Sequence, residues 1–395
     1  MKISKKAASV PASATLEITA KVKQLKSEGK SIIGFTAGEP DFNTPEYIIE
    51  SAKNALDKGY TKYTAVAGIP ELKQAICEKF LKDNGLEYSP SQIVVSDGAK
   101  SSLYHAICAI TDDGDEIILP APFWFTYEEQ VKLCGGIPVI VNTKSENGYK
   151  ITAEELENAI TGKTIAVILN SPSNPTGAVY SESELKALGK VIEKHGLMVI
   201  SDEIYEKLVY DGVKHVSVAS VSNYLKNNTI VVNGVSKSYS MTGWRIGYLA
   251  APEKIAAAIS RVQGHTTSNA CSFAQYAAVT ALRGGEEVIE NMKAAFDERR
   301  KYICGRLEKI NVPFITPQGA FYVFADISRF KGKTANGVKI EGSMSFASAL
   351  TDSGVAVIPG LPFHADNFIR LSYAVSMNDI KEGFDRIEEF LKLIK

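Results

Sequence analysis

Lys237 lies in the segment Ser236-Lys237-Ser238-Tyr239-Ser240-Met241-Thr242-Gly243-Trp244-Arg245-Ile246-Gly247, between apolar runs at 230–232 and 246–250. Taken singly, a loop lysine is most often solvated. Its neighbours argue otherwise: Ser236 and Arg245 flank it in a turn of small residues, and a hydroxyl beside a planar guanidinium suits a phosphate dianion. An amine so placed can serve as nucleophile and proton carrier. Arg370, in Phe368-Ile369-Arg370-Leu371-Ser372, sits within an apolar run, where an unpaired guanidinium is costly. It needs an anion, either an internal carboxylate or a bound one. Asp202 follows the run 197–200; taken alone, a strand-end aspartate is as readily a helix cap as a reacting group. Trp124, in Pro122-Phe123-Trp124, offers a stacking face or is an ordinary half-buried ring. Gly98-Ala99-Lys100 ends the run 93–95 and opens a helix, whose first N–H groups either bind an anion or simply begin the helix.

These residues require a scaffold. Apolar runs at 93–95, 117–119, 138–141, 165–169, 197–200, 230–232 and 246–250 alternate with turn chemistry and helix-period segments, the α/β pattern. Most lack polar alternation, as strands covered on both faces do. Leu185, Leu188, Val191 and Ile192 recur at helical spacing, and Gly196 stands where a helix ends. Active residues of such sheets gather beyond the strands' carboxyl ends, which directs attention to 170–177, 201–203 and 233–237. The expected fold is a mainly parallel seven-stranded sheet in a large domain, 47–285. At 395 residues the chain exceeds one core. A smaller α+β domain is expected from 1–46 and 286–395, where a charged helix-like stretch and a strand-like 320–325 follow. The only soft stretch is 331–342.

Other chemistries lack support. With 44 basic and 45 acidic residues, the net charge of −1 gives no field for nucleic acid or anionic membrane. No apolar span of about eighteen residues occurs, and no apolar core follows Lys2, Lys5 and Lys6 as in a signal peptide. The scattered, odd-numbered cysteines Cys77, Cys108, Cys134, Cys271 and Cys304 read as small core residues in a reducing cytoplasm, and they do not cluster with histidines as a zinc site would. There is no G-x-G-x-x-G for a dinucleotide, no glycine five residues before any G-K-[ST] triplet, and no G-x-S-x-G elbow.

Ser-Lys-x-x-x-Met-Thr-Gly-Trp-Arg-x-Gly resembles the cofactor-lysine signature of class I aminotransferases, the fold-type I pyridoxal-5′-phosphate enzymes. Asn174-Pro175-Thr176-Gly177, Ser201-Asp202-Glu203-Ile204-Tyr205 and Arg370-Leu371-Ser372 stand in that family's order, and Ala37-Gly38-Glu39-Pro40-Asp41 and 60–72 resemble it too. The resemblance implies that Lys237 holds the cofactor as an imine and, once freed by the substrate amine, moves a proton between Cα and the cofactor. It implies Asp202 at the pyridine nitrogen, Asn174 and Tyr205 at the 3′-oxygen, and Trp124 stacked on the ring. Gly98, Ala99, Lys100, Ser236 and Arg245 would hold the phosphate. Tyr63 would reach the phosphate of a neighbouring subunit, which implies a homodimer with shared sites. Arg370 would grip the α-carboxylate as a fork, with Gly38, Trp124 and Asn174 completing the substrate's surroundings and a small domain closing over it. No metal is implied.

The branch most resembled is the bacterial aspartate aminotransferases, some of which use prephenate, with 2-oxoglutarate as acceptor. Several relatives carry a lid cation just before a Ser-Ala-Thr such as Ser13-Ala14-Thr15; here Val10-Pro11-Ala12 stands instead. Lys100, or polar groups of 266–269 from the partner, are the substitutes for meeting a distal carboxylate. An aromatic or broad-specificity aminotransferase is the alternative, and a carbon–sulfur lyase on the same fold a more distant one. A cofactor-binding regulator would need a DNA-binding domain for which nothing before Ala37 leaves room.

Overall fold

The computed structural model describes residues 2–10 and 14–395. All seven apolar runs become strands: β1 Ile93–Ser96, β2 Glu116–Ala121, β3 Ile137–Asn142, β4 Thr164–Asn170, β5 Met198–Asp202, β6 Thr229–Gly234 and β7 Gly247–Ala250. They form one sheet in the order β1-β7-β6-β5-β4-β2-β3. β1, β6 and β7 are buried throughout, as their unbroken apolar character requires, whereas the edge strand β3 is half-exposed. Every pairing is parallel except those of β7, which runs antiparallel to β1 and β6. Its short link from β6 carries the Lys237 loop and contains no crossover helix.

Register brings the carboxyl ends together. Asn170 pairs with Asp202, and Asp202 with Val232, so the ends of β4, β5 and β6 stand side by side. Helix Ala99–Ile110 starts at Gly98, whose φ of +83° suits glycine. Helix Glu182–Lys194 begins with a Ser181/Glu184 capping box and is followed by Gly196 at φ +68°.

A second, antiparallel sheet contains β8 Tyr322–Asp326, β9 Ile358–Pro359 and β10 Phe368–Ser372, in the order β9-β10-β8. Near it, the early strand Ile33–Gly34 pairs in parallel with Val355–Ala356. Phe35, Phe296, Phe321, Phe346 and Phe384 build the core there, and Tyr205 and Leu208, from just past β5, join it. Gly383 is required by this packing, since a Cβ would come within 2.4 Å of the Phe35 ring.

Three sequence readings need revision or fall elsewhere. Cys77 and Cys304 are buried, but Cys108 and Cys134 are partly exposed and Cys271 is exposed; Cys271 caps helix Ser272–Arg283 and is not a core residue. The stretch 331–342 contains a tight hairpin, Thr334–Ala335 with Val338–Lys339, turning through Asn336-Gly337, both at positive φ. Pro11, Ala12 and Ser13, central to the lid reading, lie outside the described residues. Among the described residues no helix is long and apolar enough to cross a membrane.

Candidate active site

The loop after β6 turns Lys237 towards the end of β5 and the Tyr205 segment that follows it. Its Nζ donates to Gly38 O at 2.5 Å and lies 5.9 Å from the Tyr205 ring centre. Burial lowers its pKa to about 8, resisted by Glu39 and assisted by Arg370 and Arg245. Asp202, at the end of β5, is moved the other way: burial raises it to about 6, against the Tyr127 hydroxyl and the Ile204 N–H. Tyr127 donates to Asp202 Oδ2 at 2.6 Å, and Ile204 N donates to Oδ1 at 3.2 Å. The aspartate therefore does steady the turn that follows it, while also facing the lysine's charge.

Arg370, on β10, is buried. Its Nη1 donates to Asn174 Oδ1 at 2.9 Å and its Nη2 to Thr36 O at 3.4 Å. Its Cζ sits 4.3 Å from the Tyr322 ring centre, and its Nε has no partner. No carboxylate among the described residues pairs with it, so an internal ion pair does not account for this guanidinium. Tyr322 also meets Tyr205, hydroxyl to hydroxyl, at 3.0 Å.

At the start of helix Ala99–Ile110, a Cβ on Gly98 would lie 2.4 Å from Arg245 Nη2, and one on Gly247 would lie 2.2 Å from Ala99 N. Arg245, itself at φ +56°, is oriented by a bond from Nη1 to Thr242 O at 2.8 Å. Ser236 is buried nearby in sequence. These glycines let a guanidinium approach a helix start whose first N–H groups have no helical partner. Trp124 stands edge-on to Tyr127 at 5.5 Å, with the Lys100 amine 4.8 Å from its ring centre.

Interactions thus connect Lys237 with Gly38, Asp202, Tyr205, Arg245 and Arg370, and Arg370 with Asn174. Tyr63 stands apart, 92% exposed on the loop 60–69. Sequence reading missed Tyr127 and Tyr322, and quoted Glu39 and Thr242 only as members of longer motifs without a role of their own. Tyr127 lies three residues after Trp124, a helical spacing that could have drawn attention to it. Thr242 Oγ1 donates to Glu39 Oε2 at 2.6 Å, fastening the Gly38 segment to the lysine loop. Glu203, Glu206 and His215 form a group with metal-ligand spacing, but Lys79 pairs with Glu206 and supplies positive charge there.

The donor set fits a phosphorylated pyridine aldehyde. An amine of lowered pKa is available for its carbonyl, a buried carboxyl for a ring nitrogen, and a helix start with an arginine for a phosphate; an unpaired guanidinium remains for a substrate anion. With the mainly parallel seven-stranded sheet, this defines a fold-type I pyridoxal-phosphate enzyme. Residues 30–387 match the family Aminotransferase class I and II, and the chain belongs to that family. It is 50% identical to the aspartate aminotransferase of Bacillus sp. (strain YM-2), over 96% of each chain. It is 47% identical to the probable aspartate/prephenate aminotransferase of Aquifex aeolicus, over 97% of this chain and 96% of that one. The crystal structure of the aspartate aminotransferase from Rhizobium meliloti superimposes with a TM-score of 0.97 at 41% identity, over all of both chains. Amino-group transfer with pyridoxal 5′-phosphate is the chemistry of this family.

Proposed function

We propose that this enzyme transfers the amino group of L-aspartate to 2-oxoglutarate, giving oxaloacetate and L-glutamate in two half-reactions on one site. The observation carrying this reading is Arg370: a buried guanidinium with no anionic partner among the described residues, linked by its charge to Lys237 and by a hydrogen bond to Asn174. A substrate α-carboxylate supplies the missing anion.

The cofactor supplies a carbonyl that condenses with amines and a protonated ring that accepts the electrons of a broken Cα–H bond. The chain's residues do the rest. Lys237, its pKa lowered to about 8, is close enough to neutral to move a proton at the substrate's Cα. Asp202 keeps the ring nitrogen protonated, with Tyr127 as its support. Asn174 and Tyr205 would meet the 3′-oxygen, and Trp124 would cover the ring. The backbone N–H groups of Gly98, Ala99 and Lys100, with the side chains of Ser236 and Arg245, would hold the phosphate, and Gly38 and Arg370 would orient the amino acid. Lys100, whose amine lies over Trp124, is the cation we assign to the distal carboxylate.

The chain divides into a large domain, 47–285, and a small one, 1–46 with 286–395. The separate sheets and the pairing of Ile33–Gly34 with Val355–Ala356 support this. We further assign a cytoplasmic homodimer in which Tyr63 completes the neighbour's phosphate site; its exposure supports this role. The name of the Aquifex aeolicus relative favours prephenate as a second substrate class.

Half-transamination tests the reading. Cofactor-loaded protein is mixed with single amino acids, and conversion to the pyridoxamine form is followed by absorbance. Fast conversion by aspartate and glutamate is expected, and none by Lys237→Ala. Conversion by aromatic or neutral amino acids alone would assign the enzyme to the aromatic or broad-specificity class; pyruvate and ammonia without an acceptor would indicate a lyase.

A further inference from the structure

The loop 60–69 has Tyr63 92% exposed, yet side chains from one later stretch of chain fasten its backbone along its length. Ser272 Oγ donates to Tyr60 O at 2.7 Å, and Gln263 Nε2 donates to Val66 O at 2.8 Å. Gln275 donates from Nε2 to Thr64 Oγ1 at 3.1 Å and accepts from Ile69 N at 2.8 Å. Tyr60 stacks on Tyr276 at 4.4 Å. The loop is ordered before any partner meets it, which lowers the entropic cost of docking.

Gln263 has a second function. It is fully buried, and Nε2 also donates to Val95 O at 2.7 Å. Both amide hydrogens are therefore committed to carbonyls, which fixes the amide's orientation and makes Oε1 the acceptor. Ser96 Oγ donates to Oε1 at 2.6 Å, and His105 Nδ1 lies 3.2 Å from it. His105 is thereby the Nδ1–H tautomer, and its Nε2 accepts from Thr266 Oγ1 at 2.7 Å. Ser96 lies two residues before Gly98, on the turn assigned to the phosphate. A single amide thus joins that turn to the Tyr63 loop.

We propose that Gln263 is a positioning residue coupling the two active sites of a dimer: its Oε1 holds the phosphate turn of its own subunit, and its Nε2 holds the loop that this subunit hands to its neighbour. The inference rests on the shared-site reading above.

Mixed dimers test it. One subunit carries Lys237→Ala, so the visible absorbance of lysine-bound cofactor reports the other site alone, and apoprotein is titrated with pyridoxal 5′-phosphate. Gln263→Met, placed in either subunit, is expected to weaken the reporting site roughly tenfold, the effect of a buried carbonyl or hydroxyl left unpaired. Ser96→Ala weakens it only from the reporting subunit. Gln263→Glu, which keeps the acceptor but loses the donors, weakens it from the silent subunit and decides the matter if Gln263→Met does not assemble. Tyr63→Phe in the silent subunit is the control. If that control weakens the reporting site while Gln263→Met and Gln263→Glu beside it do not, the coupling is overturned. If the control has no effect, the shared-site reading itself fails, and the coupling with it.

Discussion

Burial acts on Asp202 and Lys237 in one way, disfavouring the charged form of each, so the carboxyl rises to about 6 and the amine falls to about 8. For Asp202 the consequence in the apoprotein has a definite sign. A folded pKa above the unfolded value contributes stability that is fully present below about 3.8 and is lost as pH rises through about 6. Across that window wild-type apoprotein should lose about 3 kcal/mol relative to Asp202→Asn. Denaturant unfolding of both apoproteins at pH 4 and pH 7.5 checks this. The variant should gain ground at the higher pH, and an unchanged difference would show that Asp202 is not strained. Arg370→Lys should lower kcat/KM roughly a hundredfold for every amino acid, because an ammonium cannot make a planar fork. A defect confined to aspartate would instead place Arg370 at the distal carboxylate. At this scale the sequence was legible where a residue type is out of place, such as Arg370 in an apolar strand or Lys237 at a strand end. Tyr322 was not: it meets Arg370 because β8 and β10 pair in one particular register, with Ser372 opposite Tyr322, and nothing local announces that.

Elements are held around the site by buried charge as well as by apolar packing. Lys79, on helix Pro70–Asn84, pairs with Glu206 just past Asp202, and both are buried. Burial alone would raise the Glu206 carboxyl, but Lys79, His215 and Asn84 bring it to about 2. Its stabilising contribution is thus present above about 4.5 and fades as pH falls towards 2. Lys79→Met should destabilise the protein by about 3–5 kcal/mol at neutral pH by leaving a buried carboxylate without its ammonium partner, and Lys79→Met with Glu206→Leu should recover most of that. Urea midpoints of the single and double variants decide it; an equally unstable double variant would mean that packing, not charge, dominates. The strands could be read in advance because they are covered on both faces and so show as bare apolar runs. The reversed direction of β7 could not, since orientation depends on the path of the Lys237 loop rather than on the strand's own residues. The Asn336-Gly337 hairpin was written in the sequence and passed over, because its two-residue strands are too short to show a period.

For the whole molecule, the Arg370–Asn174 hydrogen bond joins two sheets. Arg370 belongs to the three-stranded sheet, while its hydrogen-bond partner Asn174 follows β4 of the seven-stranded one. His364, in the turn before β10, also meets Glu128, in the helix after Trp124, at 2.6 Å. A carboxylate gripped by Arg370 beside Asn174, as proposed, would therefore tie both sheets at one point, and its binding energy would oppose their separation. Succinate, a dicarboxylate with no amine to react, isolates this effect from chemistry. At a hundred times its Kd it should stabilise the cofactor-loaded protein by about 2.7 kcal/mol, which for a chain of this size raises Tm by roughly 3 °C. Hydrogen exchange should slow together in β10 and in the segment after β4. In Arg370→Met the same excess of succinate should leave Tm within about a degree of the ligand-free value, since the fork is gone and Asn174 alone offers a neutral amide. Equal stabilisation of wild type and Arg370→Met would mean that the dicarboxylate is held elsewhere, and that Arg370 does not bridge the two sheets through its ligand.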